Sequence, residues 1–300
     1  MKRELVVIFL ACISMLCFSC KKFSNGDLDT DVRHIGSFQV IEMNDNVDVV
    51  LKHCDAEHEA GEVIIETGKN LLDDIITDTD SVLIKTNDEN KKKLNKLVIG
   101  NRNTLNFLRP YDYKLKATVY YDSLYMLYFN TNGTIVTDTL HGYLWPRKTQ
   151  TDSGVLQHEI AALWLEVQSG SGDIYIKTNC AYLTTKYTQG TACITIGGKV
   201  SNYANTYSNY DCHGIIDEIE LESRNHSINY YGTNKVYVKV VDRLSAVNNN
   251  LGYIYYKRFK KTESIYDEEL GYHIDSVFTC PQHMYFDGAY KDNIKLYKPN

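Results

Sequence analysis

His53, Cys54, Asp55, Glu57 and His58 fall within six residues of one another, a grouping of imidazole, thiol and carboxylate that could bind a transition metal or move protons. Their spacing matches no standard metal or catalytic site. Asp55–Gly61 reads as the polar tip of a hairpin, so a surface loop is the better reading and no metal is assigned. Asp73, Asp74, Asp78 and Asp80 could offer oxygen ligands to calcium, but the stretch lacks the Gly and Glu of a calcium loop and reads as a solvated edge. His213, beside Asp211 and Cys212, reads as a corner residue. The chain contains no GxSxG, no HExxH, no phosphate-binding loop and no GxGxxG opening a helix, so neither a catalytic residue nor a cofactor is expected.

Tyrosine is the other chemistry-bearing residue, with 24 copies against nine phenylalanines and two tryptophans. Tyr203, Tyr207 and Tyr210 are followed by Tyr230, Tyr231, Tyr237, Tyr253, Tyr255 and Tyr256. On stacked strands, outward tyrosines form ladders of flat apolar faces with hydroxyl rims, suited to sugar rings or to a protein surface. Inward packing is the alternative for some of them. Tyr203, Tyr207, Tyr210, Tyr253 and Tyr255 are the candidate ligand-binding residues.

The elements that would carry such ladders are visible as a repeat. A unit of about twenty residues recurs over Trp164–Ile176, Tyr182–Ile196 and Asn202–Ile216. Leu165, Val167, Ile174 and Ile176 align with Thr185, Tyr187, Ile194 and Ile196, then with Asn205, Tyr207 and the run around Ile215. Units this short cannot bury an apolar side alone and must stack, which predicts a coiled β-architecture. Before them come short β-branched and aromatic runs at 38–41, 47–51, 62–67, 81–86, 96–99, 115–121 and 125–129, separated by Asn/Asp/Gly corners. Helical signal is confined to single turns at Lys69–Ile76 and Asp267–Leu270. Residues 100–113 and 138–160 read as excursions, and 259–300 as a cap or tail covering the last apolar edge.

The ends and the charge supply an address. Lys2 and Arg3 precede an apolar run, Leu5–Leu16, which is too short to span a bilayer and suits an export signal over residues 1–19. Ser19-Cys20 after it looks like a bacterial lipoprotein cleavage site, with Cys20 lipidated; an ordinary secretory signal is the alternative. Residues 20–35 read as a tether. Cleavage would remove Lys2, Arg3 and Glu4, taking the formal charge from −6 to −7, which disfavours nucleic acid as a partner. Lys91–Lys93 and Lys257–Lys261 read as solvated loops. Cys193 and Cys212 lie nearly one repeat apart and form a candidate disulfide, with buried thiols the alternative.

The order Phe38-x-x-Ile41, Val47-Asp48-Val49-x-Leu51, Gly68-x-Asn70-Leu71-Leu72 and Val82-Leu83-Ile84, followed by Ser169-Gly170-Ser171-Gly172-Asp173-Ile174, resembles the auto-transporter adhesin, head GIN domain family of exported bacterial proteins. The likeness covers about residues 36–258. It implies an all-β fold, a right-handed single-stranded parallel β-helix (solenoid), here with irregular excursions and a C-terminal cap over 259–300. It also implies an outer-membrane lipoprotein, held by its lipid and facing the periplasm or the cell surface. The family carries no established catalytic residues. The expected function is a non-catalytic binding or adhesion-like module for a glycan or an envelope protein. A β-helix polysaccharide lyase or glycoside hydrolase is the alternative, at the level of fold analogy.

Overall fold

A computed structural model describes residues 25–85, 91–102, 114–151, 154–267 and 272–299. The expected signal segment 1–19, Cys20 and the turn at 268–270 lie outside the described residues. Strand dominates: β1 (Leu28–His34), β2 (Val40–Asp45), β3 (Asp48–His53), β4 (Glu62–Gly68), β5 (Ile75–Lys85), β6 (Lys91–Asn101), β7 (Lys116–Tyr121), β8 (Met126–Thr131), β9 (Ile135–His141) and β10 (Tyr143–Thr151) lead to a second half. There β11 (Gly154–Ser169), β12 (Asp173–Gly190), β13 (Cys193–Cys212), β14 (Ile215–Tyr230) and β15 (Lys235–Asn248) are long. The chain then runs through β16 (Tyr253–Lys257), β17 (Phe259–Asp267), β18 (Tyr272–Cys280), β19 (His283–Asp287) and β20 (Ile294–Leu296). The single turn expected near Lys69 is a 3-10 turn over Lys69–Asp74.

Eighteen strands form one large curled sheet, and β17–β18 is a separate hairpin. The long strands carry two parallel ladders. In the first, Leu165 lies between Leu127 and Thr185, and Thr206, Ile228 and Ala246 continue the row. In the second, Ile174 lies between Ile135 and Ile194, followed by Ile216, Val236 and Ile254. All twelve side chains are buried in one continuous core or its polar lining. Alternation along each strand sends the intervening residues outward.

The sheet is mixed, where a uniform parallel stack was expected. Antiparallel pairs β1–β4, β4–β7, β5–β6 and β10–β11 attach to the parallel ladders. The β5–β6 and β10–β11 hairpins shelter a smaller apolar cluster of Val40, Leu94, Met126 and Trp145. Strand β1 occupies part of the segment expected as a tether. None of its residues is buried, so it carries no hydrophobic signal. It is held by its ladder to β4 and by Arg33, which donates to the carbonyls of Ile75 (2.7 Å) and Leu72 (2.8 Å). The lysine runs also belong to strands, at the start of β6 and across β16–β17, because lysine stems can cover apolar surface while the ammonium stays wet. Lys92 does this over Tyr143, its Nζ 4.7 Å from the ring centre.

The repeat register holds for two copies and slips in the third. Val167 pairs with Tyr187, but Tyr187 pairs with Ser208 where Tyr207 was expected. Between Cys180↔Val200 and Tyr182↔Tyr203, β13 fits Ser201 and Asn202 against the single residue Ala181. Such a bulge shifts the residues after it by one, here as far as Tyr187↔Ser208, and a one-residue shift exchanges inward for outward. Tyr187 therefore points into the core and Tyr207 into solvent. The Tyr187 hydroxyl donates to the Ala192 carbonyl at 2.5 Å, so Tyr187→Phe should lower stability by about 1 kcal/mol in chemical denaturation.

Candidate ligand-binding surface

The five candidate tyrosines do not share one ladder. Tyr203 stacks on Tyr182 and Asn225, Tyr207 on Lys186 and Asn229, and Tyr210 lies beyond them, 63% exposed, with its ring 5.5 Å from that of Tyr231. Tyr253 and Tyr255 stand on the other ladder, paired with Lys235 and Tyr237. There they join two further rings. Tyr255 stacks on Tyr237 at 5.0 Å and 13°, Tyr253 lies 6.0 Å from Tyr255, and Tyr297 meets Tyr237 edge-on at 5.8 Å.

Tyr237, Tyr255 and Tyr297 border a cleft of about 890 Å³ lined also by Ile215, Asp217, Ile219, Lys295, Leu296 and Lys298, and Tyr253 stands just outside it. Its floor is the row Asp217–Tyr237–Tyr255–Lys295, one residue from each of four neighbouring strands. Partial burial, with Tyr255, Asp217 and Tyr297 nearby, raises the Tyr237 hydroxyl above the usual phenol range, so it is a neutral donor and acceptor. Lys295 caps the Tyr253 ring at 4.7 Å. The cleft thus offers stacked aromatic faces, one carboxylate, cations and an apolar wall. Tyr297 and Lys295 escaped the sequence reading because they sit in the presumptive cap, forty residues beyond the strand they join.

A second cleft of about 370 Å³ is lined by Lys199, Glu222, Arg224, Asp242, Lys261 and neighbours. Glu222 accepts a 2.7 Å hydrogen bond from Lys261, with Lys239 at 3.8 Å, and this holds its carboxyl below the usual range. Such a group suits an ion pair better than proton donation to a leaving group.

The sequence constellation around Cys54 divides. Asp55 Oδ1 accepts from the amides of Glu57 (2.9 Å) and His58 (2.8 Å), which lower its pKa and close the turn. His58 stacks on Tyr120 at 4.1 Å and meets Glu62 at 2.9 Å. His53 and Cys54 face instead toward Asp122. Along β5 the acidic run is spread out: Asp78 lies 4.0 Å from Arg102 and Asp80 3.4 Å from Lys96. His213 meets the Thr233 hydroxyl at 2.8 Å across a corner. Of the two alternatives for Cys193 and Cys212, the structure has the unbridged thiols and not the candidate disulfide. The two cysteines open and close the same strand, β13: Cys193 registers with Asp173 and Cys212 with Gly190, and the Cys212 thiol donates to the Tyr187 carbonyl at 2.9 Å.

A network of polar side chains around Glu218 lies inside the core. Glu218 reaches from the second ladder to the first, accepting from Thr185 and Thr206 at 3.0 Å each, with His226 Nε2 at 3.2 Å. Ser223 Oγ lies 3.2 Å from His226 Nδ1. The Ser–His–Glu order resembles a hydrolytic triad, but Ser223 is fully buried and its hydroxyl meets no solvent, so the arrangement is structural.

A family model described as putative auto-transporter adhesin, head GIN domain, matches residues 37–258. No curated protein matches the chain. Among solved structures, a putative adhesin from Bacteroides fragilis NCTC 9343 is 15% identical with a TM-score of 0.62, covering 90% of this chain and 97% of that one. A putative lipid binding protein from Parabacteroides distasonis ATCC 8503 is 15% identical with a TM-score of 0.52, covering 91% and 98%. At that identity the likeness is one of fold. Among the described residues no helix is long and apolar enough to cross a membrane.

Proposed function

We propose a non-catalytic binding role for this chain, which belongs to the auto-transporter adhesin, head GIN domain family. The ligand is a glycan of the cell envelope or surface, and it sits in the Tyr237–Tyr255–Tyr297 cleft. The observation that carries this reading is the pair of parallel tyrosine rings flanked by a carboxylate and cations: the rings suit the apolar faces of sugars, and the polar groups suit their hydroxyls. Of the sequence candidates, Tyr255 lines this site and Tyr253 adjoins it through Tyr255 and Lys295, while Tyr203, Tyr207 and Tyr210 offer a separate surface.

The same reading treats the two parallel ladders as successive turns of a right-handed β-helix over 36–258, with the antiparallel hairpins as excursions and 259–300 as a cap. It also takes Cys20 as the lipidated residue that holds the protein at the outer membrane, with the head facing the periplasm or the exterior. Support for the coil is the parallel pairing that runs from β8 through β11–β15, each strand laid on the one before it with bulges along the way.

Screening the protein on a glycan array should reveal a bound class. Tyr237→Ala and Tyr255→Ala should each weaken it about tenfold, the effect of losing one stacked ring, while Tyr207→Ala leaves it unchanged. Retention of full affinity by both cleft variants would exclude this site. Binding to phospholipid vesicles in place of glycans would point to the apolar wall, where Ile215 and Leu296 are 38% and 40% exposed, and to an acyl ligand.

A further inference from the structure

We propose that His53, Cys54 and Asp122 form a binding site for a zinc ion. His53 ends β3 and Tyr121 ends β7; the two residues are paired in register, and the Cys54 amide donates to the Tyr121 carbonyl at 2.8 Å. The chain therefore leaves both strands side by side, and the next residues, Cys54 and Asp122, emerge together. One ligand atom from each of His53, Cys54 and Asp122 lies within 4.8 Å of the others.

The imidazole is oriented before any ion arrives. Its Nδ1 lies 2.9 Å from the Cys54 carbonyl, an acceptor only, so Nδ1 carries the proton and Nε2 keeps the lone pair. Asp138 on β9 holds the same corner from below, accepting from the His53 amide (2.6 Å) and from the Tyr121 hydroxyl (2.7 Å). The ring is wedged edge-on against Tyr121 at 5.7 Å and His141 at 6.3 Å. Metal sites owe much of their affinity to such outer contacts.

The donor set selects the ion. One imidazole nitrogen, one thiolate and one carboxylate match zinc, whereas calcium and magnesium take oxygen throughout. Zinc bonds of about 2.0–2.3 Å in tetrahedral geometry place ligands roughly 3.5 Å apart, so the site closes by about 1 Å on loading. His53 and Asp122 are exposed and can make that adjustment. Three protein ligands leave the fourth position to water or an exchangeable donor. Binding releases the thiol proton to solvent and forms a sulfur–zinc bond.

Cobalt(II) replaces zinc with a visible spectrum, so titrating the full-length, metal-free protein with cobalt reads both stoichiometry and ligand type. One equivalent should bind with a thiolate-to-cobalt charge-transfer band, and zinc should displace it. Cys54→Ser should abolish that band and weaken binding more than tenfold, and Asp122→Asn should weaken it about tenfold, as loss of a ligand would. His58→Ala, four residues away on the turn, should change nothing. Far-UV circular dichroism confirms that each variant is folded. A band that survives Cys54→Ser, or the lack of a stoichiometric complex in the folded wild-type chain, overturns the proposal.

Discussion

Replacing Glu218 with alanine is expected to destabilise the protein by about 3–5 kcal/mol, the usual result of removing one member of a fully buried ionisable pair. Glu218 and His226 are each 1% exposed, and Thr185 and Thr206 direct their hydroxyls at the carboxylate. The alanine variant leaves an imidazole and two hydroxyls in the core without their carboxylate partner. It also opens a void between the two parallel ladders, which this side chain bridges. Urea denaturation of Glu218→Ala, His226→Leu and the double variant Glu218→Leu/His226→Leu would separate these effects. The double variant should cost clearly less than the sum of the two singles, because it removes the polar atoms along with their partners. Additive losses would mean that the carboxylate and the imidazole do not interact.

Gly170→Ala should cost about 3 kcal/mol, combining a strained backbone with a steric collision. Gly170 sits at φ +109°, a conformation that residues with a Cβ rarely adopt, and an added Cβ would overlap the Thr131 carbonyl of the neighbouring turn. That approach is close because the amide of Ala192 donates to Gly170 O at 3.1 Å on one side while Gly172 N reaches Thr131 O at 3.3 Å on the other. Each corner is clamped between its neighbours. Thermal unfolding followed by circular dichroism would show the loss. An unchanged midpoint would mean that the corners can separate without disturbing the ladders. Ser171→Ala serves as the comparison: its hydroxyl and amide both reach Asn132 Oδ1 at 3.0 Å on the exposed surface, so it should cost less than 1 kcal/mol.

The two substitutions illustrate different kinds of legibility. The glycines of Ser169–Ile174 stand out in the sequence because a corner must be built locally from residues that tolerate it. Glu218 gave no such sign. In the run Ile215–Leu221 it is one acid among three: alternation from Ile216 points it inward and Asp217 outward, while a register shift after Glu218 turns Glu220 out and Leu221 in. That alternation was readable, but the partner was not: Thr185 lies 33 residues earlier and Thr206 twelve, on different strands.

The candidate site shows the same division. An excess of tyrosine in the second half, and Tyr253 and Tyr255 in particular, could be picked out from composition and alternation. Their assembly into a cleft could not. Tyr297 reaches Tyr237 only because β20 adds in parallel to β16 after a forty-residue departure through β17, β18 and β19. Similarly, Asp122 replaces Asp55 as the neighbour of His53 and Cys54, since hydrogen-bonding between β3 and β7 places residue 122 beside residue 54, while the turn draws Asp55 onto its own backbone amides.

What the amino-acid sequence determined by itself was the all-β class, the positions of most strands, the glycine corners and the register of the first two repeats. These follow from interactions between near neighbours: alternation of period two, β-branched and aromatic propensity, and the conformational freedom of glycine. The tertiary structure alone decided that Tyr187 faces inward and Tyr207 outward, that Cys193 and Cys212 stay apart, and that antiparallel hairpins join a parallel stack. Each of these depends on how one strand lies against another. One extra residue at 201–202 costs little locally, yet it reverses the facing of the stretch that follows, Tyr203 to Ser208.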